Sequence, residues 1–326
     1  VIITADTSGS NGVYVDPVWR VEVALTPVEQ ALLRTWWVRR LGFVSHAGAA
    51  VITTAQTYTR LEHSLGLLAL VAHFRPDDHV ARVAALVHDV GHLPFSHTLE
   101  HLGGLDHHEL GAARIRDLAP VLQAHGYDAE TVIAVVDGVR PSGLRGSGPG
   151  LRLDHLESFV RSGHAHGRTG EPPRETLERL RLIDGVIDTD AATAGYLRAL
   201  IIAEAHAQTA DANLVPVAVL RELAGRVLDP ADPSRRDQIA ALTDDGLWSL
   251  LLGGPATRDD AERLRRAPWS WRTDPTADGG LEVRKTRYYL ELPTVDGVSM
   301  PPLVPAEVGL PELPYSVRVV AEPVSS

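Results

Sequence analysis

The sequence predicts an all-α helical body over residues 1–255, followed by a small β-containing appendage over residues 256–326. Three observations predict it. Helix-forming Ala, Leu and Arg dominate the 326-residue chain. Apolar residues recur at the 3.6-residue period through most of the first 252 residues. From Leu281 the pattern changes, and 283–292 (VRKTRYYLEL) and 315–321 (YSVRVVA) read as strands separated by Pro-rich sequence.

Residues 1–13, rich in Gly, Ser and Thr, read as an irregular lead-in. Thr26-Pro27-Val28-Glu29 opens a helix with a Thr cap, a first-turn Pro and a Glu reaching back. That helix is expected to run past Ala31, Leu32 and Trp36 to Leu41, where Gly42 stops it. A second helix from about 57–59 places His63, Leu67, Leu70 and Val71 on one face. Pro76-Asp77-Asp78 breaks the chain, and the helix over about 78–90 ends at His88-Asp89. Gly91 and Pro94 then force a turn. Helices are expected at about 107–124 and 128–137. Residues 140–150 (RPSGLRGSGPG) read as a mobile loop. A helix then carries Asp154 to Arg161. Further helices fall at about 174–182, 189–210, 215–228 and 244–252, the last capped by Thr243. There is no internal repeat.

Composition narrows the function. Some 44% of the residues are hydrophobic and 22% charged, enough for one large core with an appendage. No apolar run approaches the ~18 residues of a membrane span. No leader pattern directs export, so a cytoplasmic protein is expected. Cysteine is absent, so any metal must sit on His and carboxylate. A net charge of −11 argues against nucleic acid as the main partner. Lys285 is the sole lysine, and with Arg284 and Arg287 it either reaches over the site or a subunit boundary or belongs to a solvated edge strand. Trp36-Trp37 and Trp269-Trp271 read as packing residues.

Two strings carry the chemistry: Thr59-Arg60-Leu61-Glu62-His63-Ser64-Leu65-Gly66 and Leu86-Val87-His88-Asp89-Val90-Gly91-His92-Leu93-Pro94-Phe95-Ser96-His97. They put imidazoles and a carboxylate inside apolar helical sequence. Burying such groups without partners costs roughly 2–7 kcal/mol each, so something must satisfy them. His88 and Asp89 diverge by about 100° on a helix, so both reach one ion only if it lies against the helix end. His63, on the apolar face of the preceding helix, is the natural third donor. Asp154, opening the helix after the Gly-rich loop, is the best further carboxylate.

This H…HD…D order, inside RLEHSLG and HDVGHLPFSH, resembles the HD-domain metal-dependent phosphohydrolases, and within them the deoxynucleoside triphosphate triphosphohydrolase branch. Asp16-Pro17-Val18, Leu41-Gly42, His108-Glu109-Leu110-Gly111 and 241–248 (ALTDDGLW) extend the resemblance over about residues 14–255. It implies an HD-domain helical core and one divalent ion (Mn, Fe, Mg, Co, Ni or Zn) on His63, His88, Asp89 and Asp154. It also implies a phosphate site lined by His92, His97 and His108, with Arg60 on a phosphate oxygen. Arg60 and His63 are one helical turn apart and share a face. An imidazole such as His97 or His108 can protonate the leaving oxygen, with Glu100 as its partner.

The chain departs from that branch after Asp154. His155 stands where a basic phosphate contact is usual, Ser158 replaces an aromatic residue and Ser162 an Asp, and the lysine usual near 203–207 (AEAHA) is missing. His155, Arg161 and Arg60 are the substrate-contact candidates. The expected substrate is a nucleotide, either a triphosphate or a shorter or modified one. A catalytically weak nucleotide- or metal-binding regulator is one alternative. A two-metal enzyme using the extra histidines is the other. By analogy a homo-oligomer is expected.

Overall fold

A short ribbon opens the described chain: β1 (Val13–Val15) pairs antiparallel with β2 (Glu22–Ala24). Asp16 closes its turn, Oδ1 accepting the N–H groups of Val18 and Trp19. The structure, a computed structural model, describes residues 12–144, 149–228 and 232–322. Almost all of the expected lead-in, and residues 145–148 of the expected mobile loop, lie outside the described residues.

The capping box at Thr26 starts α1 (Pro27–Leu33) as expected, but the helix does not continue to Leu41. Thr35 turns extended, its hydroxyl donating to Leu32 O, and α2 (Trp36–Arg40) starts afresh. A second capping box, Thr59 with Glu62, starts α3 (Arg60–Phe74). Asp78 caps α4 (His79–Val87). These two helices pack through Leu67, Leu68, Leu70, Ala84 and Val87, all fully buried. Asp106 caps α5 (His107–Asp117), which ends before α6 (Ala119–Ala124) because Pro120 has no N–H to continue the ladder. Then come α7 (Ala129–Val136) and α8 (Leu153–Ala165), with α8 lying against α3.

The helix expected over 174–182 is only α9 (Pro173–Leu177). Beyond it β3 (Arg181–Ile183) and β4 (Val186–Thr189) form a hairpin across Asp184-Gly185, both in left-handed backbone. Two long helices follow, α10 (Ala191–Thr209) and α11 (Asp211–Val227). Next are α12 (Pro233–Ala241), α13 (Asp244–Gly253) capped by Thr243, and α14 (Arg258–Arg266).

The C-terminal strands are β5 (Trp271–Asp274), β6 (Leu281–Lys285), β7 (Thr294–Val295), β8 (Val298–Ser299) and β9 (Tyr315–Ala321). An antiparallel sheet of order β5-β9-β6 packs Val283, Val317 and Val319 toward α11. The strand expected over 283–292 stops at Lys285. Past it the chain crosses back to the helical body, where Leu292 O accepts the Leu151 N–H and β7 lies parallel to β4. The architecture is thus an all-α core with a small β appendage that touches the start of α8. No helix among the described residues is long and apolar enough to cross a membrane.

Candidate metal centre

α3, the end of α4 and the first turn of α8 bring His63, His88, Asp89 and Asp154 together. His63 Nε2 lies 3.3 Å from His88 Nε2 and 3.1 Å from Asp154 Oδ1. Asp89 Oδ1 lies 3.2 Å from His88 Nε2. Each ring is oriented by its other nitrogen: His88 Nδ1 donates to Ala85 O at 2.9 Å, and His63 Nδ1 pairs with Glu157 Oε2 at 2.5 Å. A neutral ring with a proton on Nδ1 points a bare lone pair from Nε2. With both rings in that neutral form, two lone pairs converge with the carboxylates, an arrangement that calls for a cation or an added proton. A divalent cation satisfies all four, and the pattern of imidazoles backed by carboxylate or carbonyl is the usual support for metal-binding histidines. The residues fit a metal.

Without a cation His63 is protonated. Burial works against its charge, but Glu157 and Asp154 outweigh this and push its pKa up to about 9. Burial likewise opposes ionisation of Asp89, yet Arg60 and the imidazoles of His88 and His92 hold it well below the usual carboxylate range. Asp154 is held low in the same way, chiefly by His63.

A second cluster adjoins the first through Asp89. Asp89 Oδ1 is 3.0 Å from His92 Nε2. The His92 ring stacks on His107 at 4.6 Å and meets His97 edge-on at 4.6 Å. His107 Nδ1 pairs with Glu100 Oε2 at 2.8 Å. One nitrogen from each of His92, His97 and His107 lies within 4.8 Å of the others. His92 Nδ1 is buried with no hydrogen-bond partner. Burial pushes the pKa of His92 well below, and that of His97 below, the ordinary histidine value.

The loop between the clusters is braced from far along the chain. Arg40 donates to His92 O and to the carbonyls of Ala240, Ala241 and Leu242. Arg114 donates to Val90 O and Ala240 O. Asp244 accepts the N–H groups of Ser45 and Phe95. Phe95 and Ser96 sit in left-handed backbone, φ 53° and 54°, which such anchors must hold. Gly91 is required: a Cβ there would fall 2.0 Å from His107 O.

The family profile of the HD domain matches residues 60–186, the stretch that spans all four converging side chains. That stretch is similar to the HD domain. Curated relatives share parts of it. A metal-dependent phosphohydrolase of Cordyceps militaris is 32% identical over 181 residues, 51% of this chain and 49% of the relative. An uncharacterised protein of Bacillus subtilis is 26% identical over 50% of this chain and 52% of its own length. An uncharacterised protein of Methanocaldococcus jannaschii is 31% identical over 30% of this chain and 22% of its own. The chain thus spans about half the length, or less, of the curated relatives it matches. Among solved structures, a phosphohydrolase from Bacteroides thetaiotaomicron superposes with a TM-score of 0.62 at 15% identity, covering 80% of this chain and 78% of that one. A hypothetical protein from Aquifex aeolicus gives 0.65 at 19% identity, covering 95% and 96%. These show the fold, and together the matches support the HD phosphohydrolase superfamily.

Within the matched stretch three expected contacts differ. Arg60 is buried and turned onto protein groups: Nη1 to Asp89 at 2.9 Å, Nε to Ser96 Oγ at 2.8 Å and Nη2 to His46 O at 3.3 Å. Its guanidinium thus braces the Asp89 carboxylate. Arg161, the other arginine expected at the substrate, is also turned onto protein groups. It is buried behind His63, paired with Glu157 one turn back and with Asp16 at 2.7 Å. His108 is exposed and His107 takes the inward place, since consecutive side chains on α5 diverge and Glu100 selects the first. His155 stays at the rim beside Asp154, 3.3 Å from Glu291 of the returning C-terminal segment. Sequence reasoning missed Glu157. Its signal was its place on α8, one turn past Asp154 and one turn before Arg161.

Proposed function

We propose that this protein is a metal-dependent phosphohydrolase cleaving the phosphate ester of a small molecule, with a nucleotide as the substrate class. The observation that carries it is the meeting of His63, His88 and Asp154, whose ligand atoms lie within 4.8 Å of one another, with Asp89 Oδ1 3.2 Å from His88 Nε2. Held by these residues, a divalent ion would supply Lewis-acid polarisation of a phosphoryl oxygen and a more acidic bound water. The chain's own groups do the rest. Glu157 and Ala85 O fix the two rings with Nε2 inward. Arg60 holds Asp89 ionised and oriented. His97 is half-exposed beside Glu100 and His107, in place to carry a proton at a ring nitrogen toward or away from the leaving oxygen. The nucleotide assignment rests on the resemblance of the two motif strings to the triphosphohydrolase branch.

The test is a panel of nucleoside mono-, di- and triphosphates with added Mn²⁺, Mg²⁺, Fe²⁺, Co²⁺ or Ni²⁺, with products identified by mass spectrometry. Release of phosphate, pyrophosphate or tripolyphosphate that disappears in the H88A/D89A variant is expected. Metal binding without turnover of any phosphate ester would leave a binding protein instead.

One observation favours a second reading with two ions. One nitrogen from each of His92, His97 and His107 lies within 4.8 Å of the others, His92 Nδ1 is buried without a partner, and Glu100 backs His107 as Glu157 backs His63. Metal analysis near two ions per chain, falling to one in H97A, would replace proton transfer by these rings with ligation.

A further inference from the structure

The helix that carries Asp154 has no side-chain cap. α3 starts on the Thr59–Glu62 capping box and α4 on Asp78, whereas the Arg152 side chain makes no capping hydrogen bond at the start of α8. The first N–H groups of a helix lack an internal partner, and a capping side chain is the usual way to fix that end. Asp154 is also the least enclosed of the four converging groups. Its side chain is 23% exposed, against 1%, 8% and 6% for His63, His88 and Asp89.

Support comes instead from the C-terminal appendage, far beyond the stretch similar to the HD domain. Just ahead of Asp154, the Leu151 N–H donates to Leu292 O at 2.9 Å and Leu151 O accepts the Ile187 N–H at 2.8 Å, so the backbone is gripped on both sides. Leu292 is itself buried in the helical core. Just after Asp154, His155 Nδ1 lies 3.3 Å from Glu291 Oε2. Both atoms are buried, and neither has another hydrogen-bond partner among the described residues. The His155 ring also meets the Tyr289 ring edge-on at 5.1 Å. Arg287 secures the far side of this segment: its Cζ lies 4.7 Å from the Tyr289 ring centre and its Nη2 3.7 Å from Glu291 Oε1. Two consecutive residues, Glu291 and Leu292, thus hold the chain on either side of one ligand. An imidazole gripped at Nδ1 and packed on Tyr289 does not turn freely, and the peptide it shares with Asp154 is fixed with it.

Resting on the metal site of the phosphohydrolase reading above, we propose that Glu291 is a positioning residue. Acting through His155, it holds the first turn of α8 so that Asp154 meets His63 and His88. The test compares the full chain with E291A, H155A, the double variant and E291Q. Mn²⁺ affinity is measured by calorimetry, and amide hydrogen exchange is followed along α8 after EDTA treatment. E291A and H155A should each weaken Mn²⁺ binding about tenfold, the low end for groups that orient metal ligands. The double variant should bind no more weakly than either single one, since both remove the same contact. E291Q, whose amide oxygen still accepts from Nδ1, should keep most of the affinity. Exchange should quicken in the first turn of α8 in E291A and H155A, whereas a general loss of stability would quicken it throughout the helical body. Wild-type Mn²⁺ affinity in E291A, additive losses in the double variant, or a change confined to KM for a phosphate ester would overturn the clamp and leave the metal reading standing. If the wild-type chain bound no divalent ion, the metal reading would fall. Local quickening at α8 would still uphold the clamp, and unchanged exchange there would overturn it.

Discussion

His63 Nδ1 lies 2.5 Å from Glu157 Oε2, and both side chains are buried between α3 and α8. Glu157 also pairs with Arg161, which reaches on to Asp16 beside the opening ribbon. One carboxylate therefore sets the tautomer of a metal-facing imidazole and ties that imidazole to the scaffold. Glu157→Gln keeps the shape, but its amide can donate toward Nδ1 and so move the ring proton to Nε2, where the ion must bind. Metal affinity is expected to fall about 10- to 100-fold. Calorimetric titration with Mn²⁺ checks this, and wild-type affinity would contradict the tautomer role.

Asp89 stands between two cations of different kinds, the Arg60 guanidinium at 2.9 Å and the proposed metal. Asp89→Asn should remove metal binding. It should also destabilise the metal-free protein by about 3–5 kcal/mol, because Arg60 would keep its charge in a buried place without a partner. Urea unfolding of EDTA-treated protein reads the second effect separately from the first. Arg60→Met combined with Asp89→Asn should recover part of the stability but none of the metal.

That His63, His88, Asp89 and Asp154 belong to one site was legible in the sequence because polar residues in apolar helices need a reason to be there, and two motif strings supplied one. Their surroundings were less legible. Arg161 reads as a substrate contact until α8 is seen to turn it inward onto Glu157 and Asp16. His107 and His108 cannot be told apart by type, and only the position of Glu100 decides between them. The Asp184-Gly185 hairpin had a readable turn signal, flanked by Leu182, Ile183, Val186 and Ile187. α14 escaped notice because RDDAERLRR looks solvated on every side, yet Ala261 and Leu264 are buried.

The metal-free protein should lose stability as pH rises. The His63 pKa is pushed up to about 9 in the fold, above the ~6.5 of an unfolded histidine. Its contribution, of order 3 kcal/mol, is fully present below pH ~6.5 and is lost as pH climbs through about 9. Metal must displace that same proton, so apparent affinity should rise up to about tenfold per pH unit over this window and then level off. Thermal melts with EDTA and metal titrations between pH 6 and 10 test both limbs. Flat profiles would show that Glu157 and Asp154 do not hold the proton on His63.

Gly66 and Gly91 mark two close approaches with different consequences. A Cβ at Gly66 would fall 2.2 Å from Glu157 Oε1 and 2.3 Å from Arg161 Nη2, both the far ends of side chains. A Cβ at Gly91 would fall 2.0 Å from His107 O and 2.5 Å from Gly111 N, both backbone. Side chains can swing away and backbone cannot. Gly91→Ala should therefore force α5 off the turn after Asp89, costing at least about 2 kcal/mol by overpacking and separating His107 from His92. Gly66→Ala should cost less stability but weaken metal binding, because the groups it displaces orient His63. Urea midpoints and Mn²⁺ affinities of the two variants would show opposite rankings. If Gly66→Ala were the more destabilising and bound metal normally, the buried Glu157–Arg161 pair would not be what orients the imidazole.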